Sequence, residues 1–425
     1  MPIAVTAWMT LAATGAGFTI LRVTGLMGAL THAERLAMAF VLGIGMIGWL
    51  AFFPGLSGNF NGSWFAAILA LCSVGLVFAR IPARGDDHHP SLNGIERVLL
   101  AGLCAAVLMD LSEALSPAAD ADTMAYHFET PRLFLERGGI FTIPRAIDGA
   151  TQLLLQMTYA VAMDLGGETA AKLWVMVSGW GLGALFYVLA RRHLDRVWAL
   201  GGVLLLMTTP AVVYGAGTGQ VEVRLAAFAL LSAYAVAMSV REDADPALGF
   251  RWVIVAGLAA GFFAGAKSTG LIFAFAGCIS MLGRTVPIKR MCVFSICVAL
   301  AGVQWYAFNW SQTGDPLYPL LWRHVDLAAG YQWNDALAQS LERQWQNERG
   351  AVWGIGWFFA YPIRTVIAPF PQFESLRVGL GPAALMFLPF AGAAFVMKRD
   401  ALKSPLFRLA MIAFLVYAIW YAVGP

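Results

Sequence analysis

The chain has 425 residues, of which 59% are hydrophobic and 12% charged, with a net charge of +3 and a mean hydropathy of +0.69. Soluble domains carry about 25% charged residues, so this composition excludes both a soluble globular domain and a disordered chain. A charge this close to neutral gives no reason to invoke nucleic acid.

Apolar runs long enough for a hydrocarbon core of about 30 Å recur along the whole length, and about twelve candidate spans are predicted. They fall at 3–21, 34–53, 63–80, 97–115, 169–190, 196–214, 222–240, 251–267, 269–283, 290–309, 379–397 and 406–424. The expected fold is an all-α polytopic membrane protein. The first run has no Lys or Arg before Arg22, lacks the basic start of a cleaved signal peptide and is expected to be a retained span.

Orientation follows from the short loops. Arg80, Arg84 and Arg97 flank one linker, and Arg191, Arg192 and Arg196 fill the next basic turn. Arg241 with Arg251, Arg284 with Lys289 and Arg290, and Lys398, Arg399, Lys403 and Arg408 mark the others. The positive-inside rule makes these turns cytoplasmic, which sends the two longest loops, 116–168 and 310–378, outward. The protein is accordingly expected in the cell inner (plasma) membrane, crossing it many times.

Within the basic linker, His88 and His89 stand beside two Asp residues. Metal binding is one reading of that arrangement and a solvated turn the other. The five cysteines all lie in predicted spans, form no CxxC and read as small buried apolar residues. No GxSxG elbow, P-loop or HExxH is present, and no Rossmann fingerprint follows a strand. "GAGTGQ" (215–220) joins two spans and is expected to be a tight outward turn.

Ionisable chemistry concentrates in "ADADTMAYHFETPRLFLERGG" (119–139), at the start of the first outward loop. This segment and "ATQLLLQMTYAVAMDLGG" (150–167) mix polar with apolar residues and end in Gly-Gly, as helices lying on a membrane surface do. A helix starting near Asp122 puts Asp122, Tyr126 and Glu129 on one face and turns His127 sideways. The alternative for Asp122 is an N-cap. A second carboxylate, Glu222, stands at the outward start of the 222–240 span; its alternatives are interfacial solvation or pairing with Arg224. Lys267 lies between two apolar runs, where a charge costs about 2.5–3.5 kcal/mol on insertion scales and needs a partner. A lipid phosphate is one such partner, aided by Ser268, Thr269 and Gly270, and snorkelling to the interface is the alternative.

The stretch "DTMAYHFETPRLFLERGGI" resembles the start of the first extracytoplasmic loop of the GT-C superfamily of membrane glycosyltransferases. "GLAAGFFAGAKSTGLIF" (257–273) resembles their Gly-rich span ending in Lys-x-Thr-Gly, and "TGDPLYPL" (313–320) is similar to their Gly-Asn/Asp-Pro-x-Tyr-Pro turn. The loop order agrees too, with one large outward loop after core span one and another after core span seven. The likeness is to the group of dolichyl-phosphate-mannose-protein mannosyltransferases and aminoarabinose transferases, and it covers about 97–425. In two respects the chain departs from them: three spans precede the core, and it stops at "WYAVGP" where many relatives continue.

The resemblance implies a division into an N-terminal extension with a cytoplasmic linker (1–96), a core (97–309) containing the 116–168 loop, a second large loop (310–378) and C-terminal helices (379–425). It implies transfer of a sugar from a polyprenyl-phosphate donor to a lipid, glycan or protein acceptor at the extracytoplasmic face, among membrane lipids. Asp122 and Glu222 are then the expected catalytic carboxylates. Lys267, His127, Tyr126, Glu129, Thr269 and Tyr318 are the expected substrate-binding residues. His127 has three expected roles: contact with phosphate, help in proton transfer, or a share with Asp122 in a divalent cation. No cofactor is otherwise implied. Tyr318, Arg323 and His324 either cover the site or anchor the loop at the interface. The alternative function is a multispan transporter or lipid-glycan flippase, in which Lys267 carries the coupling or substrate charge.

Overall fold

A chain whose apolar runs cannot leave backbone groups unpaired in lipid closes them within helices. In the computed structural model every regular element among the described residues is helical. The description covers all residues except 83–90, 144–149, 242–244, 283–287, 350–353, 368–378, 380, 398–403 and 424–425. The His88–His89 pair therefore lies outside it.

The helices are α1 (Pro2–Val23), α2 (His32–Leu56), α3 (Gly62–Val74), α4 (Gly94–Leu115), α5 (Glu129–Arg137), α6 (Leu154–Ala190), α7 (Arg196–Met207) and α8 (Pro210–Gly217). They continue with α9 (Glu222–Ser239), α10 (Pro246–Ala266), α11 (Gly270–Ser280), α12 (Ile288–Thr313), α13 (Asp335–Arg349), α14 (Ile355–Ile367), α15 (Ala383–Met397) and α16 (Pro405–Val423).

Among the described residues nine helices are long and apolar enough to cross a membrane, or ten counting α7 and α8 as one span bent by 70°. The sequence pattern predicted about twelve. The run at 196–214 breaks because Pro210 opens a new helix at its first position, where its missing N–H costs nothing. The run at 269–283 yields only the 11 residues of α11, and that at 379–397 only the 15 of α15.

Two N-termini are built alike. Thr31 and Asn93 open α2 and α4 with capping boxes to Glu34 and Glu96. Each of these glutamates also pairs with an arginine from a later turn, Glu34 with Arg192 and Glu96 with Arg196 (2.6 Å). Arg35, fully buried, donates to the carbonyls of Met27, Ile81 and Pro82. Arg251 donates to Gly25 O at 3.0 Å and Arg290 to Ser239 O at 2.6 Å. The basic turns thus meet at one end of the bundle.

At the other end, Phe60 N–H donates to Gly138 O and Ile140 N–H to Gly55 O, tying the α2–α3 turn to the loop after α4. Asn309, near the end of α12, donates to Ala150 O at 2.7 Å. Both long loops therefore start from the end opposite the basic turns.

The stretch 150–167 is not a surface helix. Leu154 to Ala162 are all buried, and the helix runs into α6 across a kink at Gly167 (φ 77°), a conformation that glycine adopts freely. Its apolar–polar mixture belongs to a segment enclosed by the bundle: its polar members Gln156 and Thr158 find partners inside. Two of the cysteines, Cys72 and Cys297, are buried as expected, whereas Cys104 and Cys292 face outward.

Candidate functional site

The "GLAAGFFAGAKSTG" stretch is first of all a packing surface. A Cβ on Gly257 or Gly261 would fall 2.6 Å from Phe294 O or 2.5 Å from Val298 O, so α10 lies directly on the backbone of α12. This contact fixes the end of α10. There Lys267 leaves the helix in extended conformation (φ −159°, ψ 139°), and Gly270 N–H donates to its carbonyl to close the turn into α11. Lys267 is therefore at a helix end and about half exposed. Its Nζ donates to Glu222 Oε1 at 2.7 Å, a partner that the sequence reading did not foresee. Thr269, half-buried in the same turn, stands just before α11.

Glu222 is placed by a second packing contact. Arg224, 1% exposed, donates to the carbonyls of Val175, Gly215 and Gln220, and Tyr159 Oη donates to the same Gln220 carbonyl at 3.3 Å. The guanidinium thus ties the Gly-rich turn down onto α6. Arg224 serves the backbone rather than Glu222, and Glu222 is left to Lys267.

The loop after α4 reaches this turn through Asp120. Lys172, 2% exposed, first fixes the end of α4 by donating to the carbonyls of Glu113 (2.8 Å) and Ser116 (2.6 Å), where the helix dipole favours a cation. Asp120 then accepts from Thr123 N–H at 3.0 Å and from Gln220 Nε2 at 3.5 Å. Capping, one of two readings for Asp122, thus falls to Asp120. Asp122 is exposed, one residue from Thr123, whose methyl group packs on Gly219.

Residues Thr123–His127 form a π-turn, closed by Phe128 N–H donating to Thr123 O at 2.9 Å. Residues 123–127 are thus wound more widely than the 3.6 residues per turn from which a shared face of Asp122, Tyr126 and Glu129 was expected. Glu129 instead pairs with Arg132 at 3.0 Å. His127, expected to point sideways, is 1% exposed, with Tyr126 stacked on it at 4.0 Å and Gln156 Nε2 at 2.9 Å from its Nδ1. Burial pushes its pKa down to about 3, aided by the positive charges of Lys267 and Arg224 and opposed by Glu222. The imidazole is therefore neutral at physiological pH. Its Nε2, Thr123 Oγ1 and Gln156 Oε1 are buried without a hydrogen-bond partner.

Tyr318 packs against Tyr331 (5.6 Å) and Trp333 (6.0 Å). The turn around it is held by buried Asp315, which accepts from Leu317 N–H and Leu321 N–H, so "TGDPLYPL" has an architectural role. Arg323 is paired with Asp335. Among the described residues no three His, Cys, Asp or Glu side chains converge as a metal site.

The structure thus brings together Glu222, Lys267 and His127, with Asp120 and Gln220 alongside, and leaves Asp122 exposed in the same turn as Asp120. Sequence reading missed Asp120, Gln156, Gln220, Arg224 and Lys172. Two of these were open to discovery, because Arg224 and Lys172 are charges inside predicted spans and such charges need partners. No protein-family model, curated protein or solved structure matches the chain.

Proposed function

We propose that the chain is a membrane glycosyltransferase that moves a sugar from a polyprenyl-phosphate donor to a lipid, glycan or protein hydroxyl. The observation that carries this reading is the half-exposed Glu222–Lys267 pair at the α10–α11 turn, with an apolar groove between the same two helices and α12. The groove, about 440 Å³, opens between α10, α11 and α12, and begins at Ala264 and Leu271 on either side of the Lys267 turn. A ligand with a phosphate at one end and a hydrocarbon chain at the other fits this juxtaposition.

In this reading the donor phosphate takes Lys267 as its counter-ion, with the Thr269 hydroxyl and the N–H groups of the turn near its oxygens. The acceptor hydroxyl gives its proton to Asp122 as its oxygen bonds to the anomeric carbon. The bond from that carbon to the phosphate oxygen breaks, and polyprenyl phosphate leaves with the electron pair. Base assistance of this kind is worth about 10² to 10⁴ in rate. Glu222, anchored to Lys267, and neutral His127 keep the site's charge fixed before the donor arrives.

The test is release of polyprenyl phosphate from a polyprenyl-phosphate sugar by purified protein in sealed vesicles without an ion gradient. Sugar-dependent release supports the transferase. Movement of intact donor across the bilayer without release assigns the flippase instead.

A further inference from the structure

A second cleft, about 500 Å³, lies at the basic end of the bundle between the last turns of α9 and α11 and the first turns of α16. It lies at the last turn of α11, which spans only 11 residues, about half of what a bilayer crossing needs. Its walls include Val240, Ile279, Leu282, Met411 and Leu415, and the one charged side chain among them is Arg408.

Arg408 donates to the Val240 carbonyl, which leaves further donors on a guanidinium that carries five. Among the described residues no carboxylate pairs with it. From Arg408 the apolar lining continues along α16 to Leu415, about 10 Å at the rise of an α-helix. The cleft is thus cationic at the end of the bundle and hydrocarbon-like toward its middle. A membrane phospholipid has the same polarity over the same distance. Arg251 and Arg290, fixed at this end of the bundle, add to a field that favours an anionic headgroup over a zwitterionic one.

We propose that this cleft binds one anionic phospholipid, its phosphate on Arg408 and an acyl chain along Met411 to Leu415. The lipid would join α16 to α9 and α11, the two helices on which α16 chiefly packs.

The experiment is native mass spectrometry of the delipidated full chain titrated with phosphatidylglycerol or phosphatidylcholine of identical acyl chains. The expected result is a saturable one-to-one adduct, about tenfold tighter for phosphatidylglycerol, because both phosphates can accept from Arg408 but the choline cation cancels the net charge that the basic end of the bundle attracts. Arg408→Gln should abolish the preference while both lipids still bind. Leu415→Trp, which fills the hydrocarbon part and leaves Arg408 in place, should weaken both. Equal binding of the two lipids by the wild type overturns the proposal. So does undiminished binding of both lipids by folded Leu415→Trp, or a dimer that excludes the lipid adduct.

Discussion

At the scale of single residues, the segment 119–139 sets its two first aspartates in different surroundings. Asp120 accepts the Thr123 N–H and faces Gln220, so Asp120→Ala should cost about 0.5–2 kcal/mol, read as a lowered melting temperature. Asp122 is exposed and makes no capping bond. Asn preserves the shape of Asp122, so under the proposed function Asp122→Asn should keep the wild-type melting temperature while turnover falls by about 10² or more; an active Asn variant would remove Asp122 from the chemistry. His127 gives a pH signature. Its pKa of about 3 in the folded chain stands against the ordinary 6.5, so above pH 6.5 folded and unfolded chains are alike neutral. As pH falls from 6.5 toward 3 the unfolded chain takes up a proton and the folded one does not, and stability declines. Thermal melts at pH 7.5 and 5 should show a larger loss for the wild type than for His127→Gln. Burial and the charge of Arg192 push the pKa of His193 the same way, but both proteins retain it and its effect cancels.

At the scale of helices, what was legible in the sequence is what depends on length and hydropathy alone. Eight of the predicted runs correspond to long apolar helices, and a ninth to the second part of α6. What was not legible depends on what a helix touches. Hydropathy does not distinguish a polar atom facing water from one facing a partner inside the bundle, which is why 150–167 read as a surface segment. The wider winding of the π-turn at 123–127 likewise leaves no mark in residue spacing. Glycine spacing is a case where the contact gives the meaning: Gly257 and Gly261 are one turn apart against α12. Gly261→Val should drive a methyl group into the Val298 backbone and destabilise the protein by more than the ~1–3 kcal/mol of ordinary overpacking, measured by thermal melting in detergent. The Lys267–Glu222 contact predicts the opposite profile. A pair this exposed contributes about 0–1 kcal/mol, so Lys267→Ala should leave stability nearly unchanged. If Lys267 binds the donor phosphate in ground and transition states alike, the loss appears as a raised KM for the donor with kcat little altered. An unchanged KM in a well-folded variant would count against phosphate binding.

At the scale of the molecule, the two ends of the bundle differ in the work their charges do. At one end Arg35, Arg251, Arg290 and Arg408 hold backbone carbonyls of the turns, and Glu34–Arg192 and Glu96–Arg196 join successive helices. The same cations that organise this end set its sidedness under the positive-inside rule, because they cross a bilayer at high cost. At the opposite end the charges gather around Glu222, Lys267 and the 120–127 turn. Transfer from a lipid-linked sugar outside the cell requires that second end to face outward, and the requirement is independent of any substitution in the site. Single cysteines at positions 57, 116 and 122 should react with a membrane-impermeant thiol reagent in intact cells, on a background in which the five native cysteines are replaced by serine or alanine. Cysteines at positions 25, 82 and 404 should react only after the membrane is permeabilised. The reverse pattern would place Asp122 and the Glu222–Lys267 pair in the cytoplasm, beyond reach of a donor presented on the outer face, and would end the glycosyltransferase reading whatever the kinetics of the variants.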